Sequence, residues 1–294
     1  MALKQISTDE LHQFDRLSFV THRAARAGTG GEHVSRRPSP STDFVDYRPY
    51  QAGDDFRRVD WNVYGRLGSL QVKVTEGRER LDVLVVLDSS GSMSYGAPDK
   101  LEFAGSVVGA LAYVGMAHDD SVRIACLGSS EPRRFGPIAR RQRLPSLLSE
   151  LALIAPTGLV DINAGFGACL SEMALRHPLV VIVSDLLAAH GVADGLERLL
   201  VQKADVAVVH VVSPDEMDPR VAGEVELVDA ESGELLELGV SMETLAAYRA
   251  RFSHWLDERA AECRSRGVRY IRVCTDRPLA SVMLVDLRRG GLLR

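Results

Sequence analysis

Three side chains with oxygen donors stand close together in LDVLVVLDSSGSMSYG, residues 81 to 96: Asp88, Ser90 and Ser92, spaced as D-x-S-x-S. A carboxylate and two hydroxyls on a tight turn are the donors a hard divalent cation takes. The same serines can equally cap a following helix. A second acid separates the two readings. The run PLVVIVS, residues 178 to 184, also ends in an aspartate, Asp185. Capping explains the serines but not a matching acid far along the chain, so Asp88, Ser90, Ser92 and Asp185 together favour a cation site.

Such residues need a scaffold that aims them at one point. Leu81 to Leu87 is a continuous apolar run of strand length, the pattern of a strand buried on both faces. Val122 to Leu127, Pro178 to Ser184, Asp205 to Val212 and Val268 to Val273 read as further strands, and Arg133 to Phe135 as a short edge strand. Helices are predicted over Lys100 to Ala117, Leu144 to Ile154, Ile162 to Leu175, Ser241 to Arg266 and Leu279 to Arg288. Apolar strands alternating with helices predict an α/β fold with a mostly parallel sheet covered on both faces. In such sheets ligands collect at the carboxyl ends of strands, where the strand order reverses. If the strands ending at Asp88 and Asp185 are neighbours, both carboxylates face one crevice.

Other segments embellish this body. Ser7 with Glu10 forms a capping-box pattern for a helix over about residues 8 to 26, with Leu11, Phe14, Leu17 and Val20 on one face. The glycine-, serine- and proline-rich stretch GTGGEHVSRRPSPSTDF reads as a loop. Between residues 46 and 77, Asp54, Asp55, Arg57, Arg58 and Asp60 gather beside Trp61 and Tyr64. The first reading is an irregular segment locked by arginine–carboxylate pairs and aromatic burial. The second is a docking surface made of Asp54, Asp55, Arg57, Asp60 and Trp61. Leu70, Val72 and Val74 alternate with polar residues as a half-exposed strand, and VELVDAESGELLEL reads as a β-hairpin turning at Ala230–Gly233. The expected organisation is residues 1–80 as an N-terminal helix with an irregular and strand segment, and 81–294 as the α/β domain, interrupted by an insertion at 213–240.

Composition narrows the function classes. The 294 residues carry a net charge of -5, with 46% hydrophobic content, which gives no general bias toward nucleic acid or membrane. Residues 214 to 240 hold nine acids against Arg220 alone, and residues 249 to 294 hold eleven arginines against five acids. Solvated faces are the commoner cause of such patches, and protein contacts the other. Cys126, Cys169, Cys263 and Cys274 lack metal or redox spacing and read as buried free thiols in a reducing compartment. No window has the apolar length of a membrane span or a secretory leader, so a cytoplasmic protein is expected. A haloacid-dehalogenase-type nucleophile needs a second acid two residues after the first, where this chain has Ser90. P-loop, G-x-S-x-G and H-E-x-x-H patterns are absent. The residues can hold an ion, but no base or nucleophile is evident beside them.

With D-x-S-x-S and a strand-terminal Asp185, the chain resembles von Willebrand factor A domains and their metal-ion-dependent adhesion site. RPYQAGDDFRRVDW, VVLDSSGSM, DAESGELLEL and VCTDRPL resemble, more narrowly, the bacterial family called domain of unknown function 58. The resemblance runs from about Phe14 to Leu293. It implies a von Willebrand A-like, Rossmann-like doubly wound α/β domain, and a chaperone-like or assembly role beside MoxR-type AAA+ ATPases acting on a client protein. It also implies Mg2+ or another divalent cation. In the adhesion site a third loop supplies a threonine; here Gly158, Leu159, Val160 and Asp161 match that loop, with valine at the hydroxyl position. Thr157 or Asp161 could then lean in, or water could fill the gap, and the crevice could also bind a partner without metal. The expected function is a non-catalytic protein-binding module, with a metal-dependent hydrolase using metal-bound water as the alternative.

Overall fold

The computed structural model describes residues 6–21, 34–35, 43–51, 54, 56–78, 80–128, 132–158, 160–173, 175, 177–188 and 191–294. The chain divides into two compact units, His22–Arg80, and Met1–Thr21 together with Leu81–Arg294.

In the smaller unit, β1 (Val34–Ser35), β2 (Asp43–Pro49) and β3 (Gln71–Arg78) form an antiparallel sheet in the order β1-β3-β2. A short helix, Trp61–Leu67, precedes β3. Asp60 caps it: one carboxylate oxygen accepts from the backbone of Asn62 and Val63, the other from the Tyr47 hydroxyl at 2.9 Å. The arginine–carboxylate lock is made by Arg48, whose guanidinium donates two 2.6 Å bonds to Asp54. The segment expected to be irregular is therefore largely regular. Aromatic burial is corrected outright, because Phe56, Trp61 and Tyr64 are exposed, Trp61 by 60%. Their ring contact is local, a Trp61–Tyr64 edge-to-face pair. Asp55 lies outside the described residues.

The larger unit is built on six strands: β4 (Asp82–Asp88), β5 (Ser121–Leu127), β6 (Arg133–Ile138), β7 (Leu179–Ser184), β8 (Asp205–Val212) and, after a hairpin of β9 (Gly223–Val228) and β10 (Leu235–Val240), β11 (Arg269–Cys274). Their order is β11-β8-β7-β4-β5-β6, parallel except for the β6 edge. This is the expected von Willebrand A-like doubly wound sheet. The chain builds outward from β4 to β5 and β6, then returns to β7 on the other side, so the order reverses between β4 and β7. Buried Val83, Val85 and Leu87 face one apolar layer, and Leu84 and Val86 the other. Each such side chain contributes roughly 1.5–3 kcal/mol of burial, which explains why strands apolar on both faces settle in the middle of the sheet.

Helix Lys100–Ala117 lies in the first layer and is buried almost all round. The N-terminal helix ends at Phe14, not near residue 26; residues 22–26 lie outside the described residues. Phe14, Leu17 and Phe19 enter the first layer, and Phe19 bridges Leu293. That apolar burial places residues 6–21 with the α/β body, whereas the sequence reading grouped them with the segment up to residue 80. Cys126, Cys169 and Cys263 are buried free thiols, and Cys274 is half-buried and free. Among the described residues no helix is long and apolar enough to cross a membrane.

Candidate functional site

Because β4 pairs with β7, Leu87 lies opposite Val183, and Asp88, the last residue of β4, comes close enough to Asp185, just past β7, to feel its charge. Asp88 is buried. One of its carboxylate oxygens accepts the Ser90 backbone N–H at 2.9 Å and the other the Ser184 hydroxyl at 2.6 Å. Burial, and then the negative charge of Asp185, push its acid up to about 6, against the pull of the Ser184 and Ser90 hydrogen bonds. The negative charge at Asp88 is therefore only partly compensated by the protein. The Ser90 and Ser92 hydroxyls hydrogen-bond to each other at 3.0 Å.

That spacing tests the fit of a cation. Oxygens about 2.1 Å from an octahedral Mg2+ and at right angles to one another lie about 3.0 Å apart. The hydrogen-bonded pair of hydroxyls therefore already has the spacing of two adjacent ligands of such an ion, beside the buried Asp88 carboxylate. The donor set is hydroxyl-rich; among the described residues no group of three or more His, Cys, Asp or Glu is placed to hold a metal.

The third loop reaches the same turn through its backbone. Thr157 pairs with Ser90 as an isolated parallel bridge, and its N–H and hydroxyl both donate to the Ser89 carbonyl, at 2.8 and 3.2 Å. Gly128 makes this crossing possible: a Cβ there would stand 2.4 Å from the Ser89 hydroxyl and 2.8 Å from that of Thr157. Asp161 lines a cavity together with Gly128, Thr157 and Val160. It is exposed and accepts the Ala164 N–H at 3.0 Å, at the start of the helix Ile162–Met173, the ordinary use of an acid before a helix. Val160 packs against the apolar layer behind Leu84 and Val86, so its methyl groups serve the core.

Asp185 is engaged by a residue that the sequence reading passed over. The Lys100 ammonium, fully buried, lies 2.7 Å from Asp185 and 2.5 Å from Glu216. Burial works to lower the lysine's proton affinity, but the two carboxylates outweigh it and raise it. Glu216 is fixed in turn by the capping box of the turn Pro214–Met217, accepting the Ser213 N–H at 2.8 Å. The second Asp185 oxygen accepts the Leu187 N–H at 3.1 Å. Behind it, His210 on β8 hydrogen-bonds Tyr270 at 2.7 Å and the Asp185 backbone, and burial pulls its imidazole down to about 4. Lys100, Ser184, His210 and Glu216 are the site residues missing from the sequence reading. The one available signal was a lysine in a chain whose 35 basic residues include only three others of its kind.

The hairpin tip completes the surroundings. Asp229 accepts the N–H groups of Glu231 and Ser232. The Glu231 carboxyl is raised by burial, and next by Asp185 and Asp229.

A family model described as protein of unknown function DUF58 matches residues 46–262. The uncharacterized proteins Rv1480 of Mycobacterium tuberculosis and Mb1516 of Mycobacterium bovis are each 27% identical to this chain over 270 residues, covering 89% of it and 84% of their own length. Among solved structures, the conserved hypothetical protein BatB from Bacteroides thetaiotaomicron aligns with 72% of this chain and 98% of its own, at 14% identity and a TM-score of 0.41. Manganese-loaded TRAP protein from Plasmodium vivax aligns with 45% of this chain and 57% of its own, at 18% identity and a TM-score of 0.35.

Proposed function

The chain belongs to the DUF58 family, and on that premise we propose that it is a non-catalytic protein-binding module whose crevice at Asp88, Ser90 and Ser92 holds a divalent cation. The observation that carries this is the 3.0 Å spacing of the Ser90 and Ser92 hydroxyls above buried Asp88. The two serines ligate the ion, Asp88 balances its charge, and Asp185 acts from behind, tied to Lys100. A bound cation with an open coordination position takes an acidic side chain from a partner. Contact then depends on the ion, without any bond being made or broken.

The partner we assign is a MoxR-type AAA+ ATPase, with the chain linking it to a client during assembly or maturation. Support comes from the family resemblance and from the exposed Trp61, Phe56 and Tyr64 of the small unit, since exposed aromatics are the residue types that anchor protein interfaces. The non-catalytic reading is supported by the engagement of Lys100, Glu216 and His210 in buried pairs, which ties up groups that would otherwise serve as acid or base. The test is affinity capture of the tagged chain from its own cells, in Mg2+ and in EDTA. A AAA+ ATPase retained in Mg2+ and lost in EDTA, or with Asp88→Ala, supports the reading. Sustained, Asp88-dependent hydrolysis of phosphoester or ester substrates by the purified chain would overturn it.

A further inference from the structure

Among the described residues the hairpin β9–β10 pairs only with itself, and its strands are exposed along almost their whole length. Its tip nevertheless comes back to the body and lies on the serine turn. A Cβ at Gly91 would come within 2.4 Å of the Ala230 carbonyl oxygen and 3.4 Å of the Glu231 Cα. A Cβ at Gly158 would stand 3.7 Å from the Glu231 carbonyl oxygen. The tip therefore spans two of the loops that frame the crevice, and glycine at residue 91 is what lets it sit so low.

The turn is built to hold one side chain there. Asp229 fixes the backbone of Glu231 at 2.9 Å and of Ser232 at 2.6 Å, and Gly233 adopts the left-handed conformation, with φ of 74°, that closes the loop. Glu231 is half-buried and close enough to Asp185 for that charge to act on it. Asp185 and Glu216 already share the Lys100 ammonium, and the charge of Asp185 acts on both Asp88 and Glu231. An acid held toward Asp185, which already faces Asp88, is an electrostatic cost unless further positive charge is shared among them.

We propose that Glu231 is the chain's own carboxylate ligand for the crevice cation, and that the hairpin is a strap which an acidic partner side chain must displace. This rests on the cation reading given above. With the strap closed, Glu231 occupies the position a partner's carboxylate takes. Binding of the ion and closure of the hairpin are then linked, each favouring the other.

The test uses the full-length chain, Mn2+ as the probe, and two readouts: calorimetric affinity and hydrogen exchange of backbone amides in residues 223–240. Wild type is expected to bind Mn2+ and to slow exchange at the hairpin tip severalfold. Glu231→Gln is expected to bind at least about tenfold more weakly and to lose that protection, while Glu224→Gln on the same hairpin changes neither. Exchange in the helix Lys100–Ala117 reports on whether each variant is folded. Equal Mn2+ affinity in wild type and Glu231→Gln, with hairpin exchange unaltered by the ion, overturns the strap and leaves the cation site standing. Absence of Mn2+ uptake by either protein overturns both.

Discussion

The ammonium of Lys100 lies 2.7 Å from a carboxylate oxygen of Asp185, and neither side chain is more than 2% exposed. A buried pair of this kind stabilises weakly against an apolar replacement of both partners, but breaking it from one side strands a charge. Lys100→Met leaves Asp185 and Glu216 buried and facing each other. It is expected to lower stability by about 3–5 kcal/mol, measured as a lower urea midpoint. Adding Asp185→Asn and Glu216→Gln is expected to recover most of that loss. A single variant as stable as wild type contradicts the role given to Lys100.

Asp88 makes the ion-free protein sensitive to pH. Its folded acidity, about 6, lies above the ordinary value of 3.8, so the folded state binds the proton more tightly than the unfolded chain does. The resulting stabilisation is fully present below pH 4 and is lost as pH rises through 6. His210 acts oppositely in the same window: its imidazole sits near 4 against an ordinary 6.5, so its contribution is lost as pH falls from 6.5 toward 4. The comparison to make is therefore wild type against Asp88→Asn. In EDTA, wild type is expected to lose about 2–3 kcal/mol relative to the variant between pH 4 and 7. Saturating Mg2+ is expected to remove most of that loss, because a cation favours the charged carboxylate.

Gly128 is where the loops after β5 and β7's neighbour β4 meet Thr157. A methyl group there collides with the hydroxyls of Ser89 and Thr157, at 2.4 and 2.8 Å. Gly128→Ala is expected to cost about 1–3 kcal/mol of stability, read by thermal unfolding, and to weaken Mn2+ binding by displacing the serine turn. Unchanged ion affinity would separate the Thr157 loop from the site.

Two adjacent residues of the small unit divide structure from docking. Asp60 caps the helix Trp61–Leu67 and holds the Tyr47 hydroxyl, so Asp60→Ala is expected to destabilise by about 1–2 kcal/mol. Trp61 is 60% exposed, so Trp61→Ala is expected to leave the unfolding midpoint within about 0.5 kcal/mol while reducing capture of the AAA+ ATPase. Equal capture by Trp61→Ala and wild type would remove Trp61 from the docking surface.

The sheet was legible because strands buried on both faces are nearly continuous apolar runs, and β4, β7 and β8 are such runs apart from polar end residues, broken only by His210 in β8. Their ends marked Asp88 and Asp185, and the doubly wound order brought the two together. Lys100 escaped because its burial depends on partners 85 and 116 residues away, beyond any local pattern. Asp161 was ambiguous for a local reason, since an acid before a helix caps it as readily as it binds an ion. Trp61 and Tyr64 were expected inside because aromatics usually are, but the antiparallel sheet of the small unit and the Arg48–Asp54 pair organise that segment without burying them.

The central claim is that the turn after β4 holds a divalent cation. Isothermal titration of Mg2+ into the purified chain tests it, with Asp88→Ala and Ser92→Ala as comparisons and circular dichroism to verify their folding. The account predicts a saturable one-to-one heat in wild type that is lost in both folded variants. Equal heats in all three proteins, or none in wild type, would contradict it.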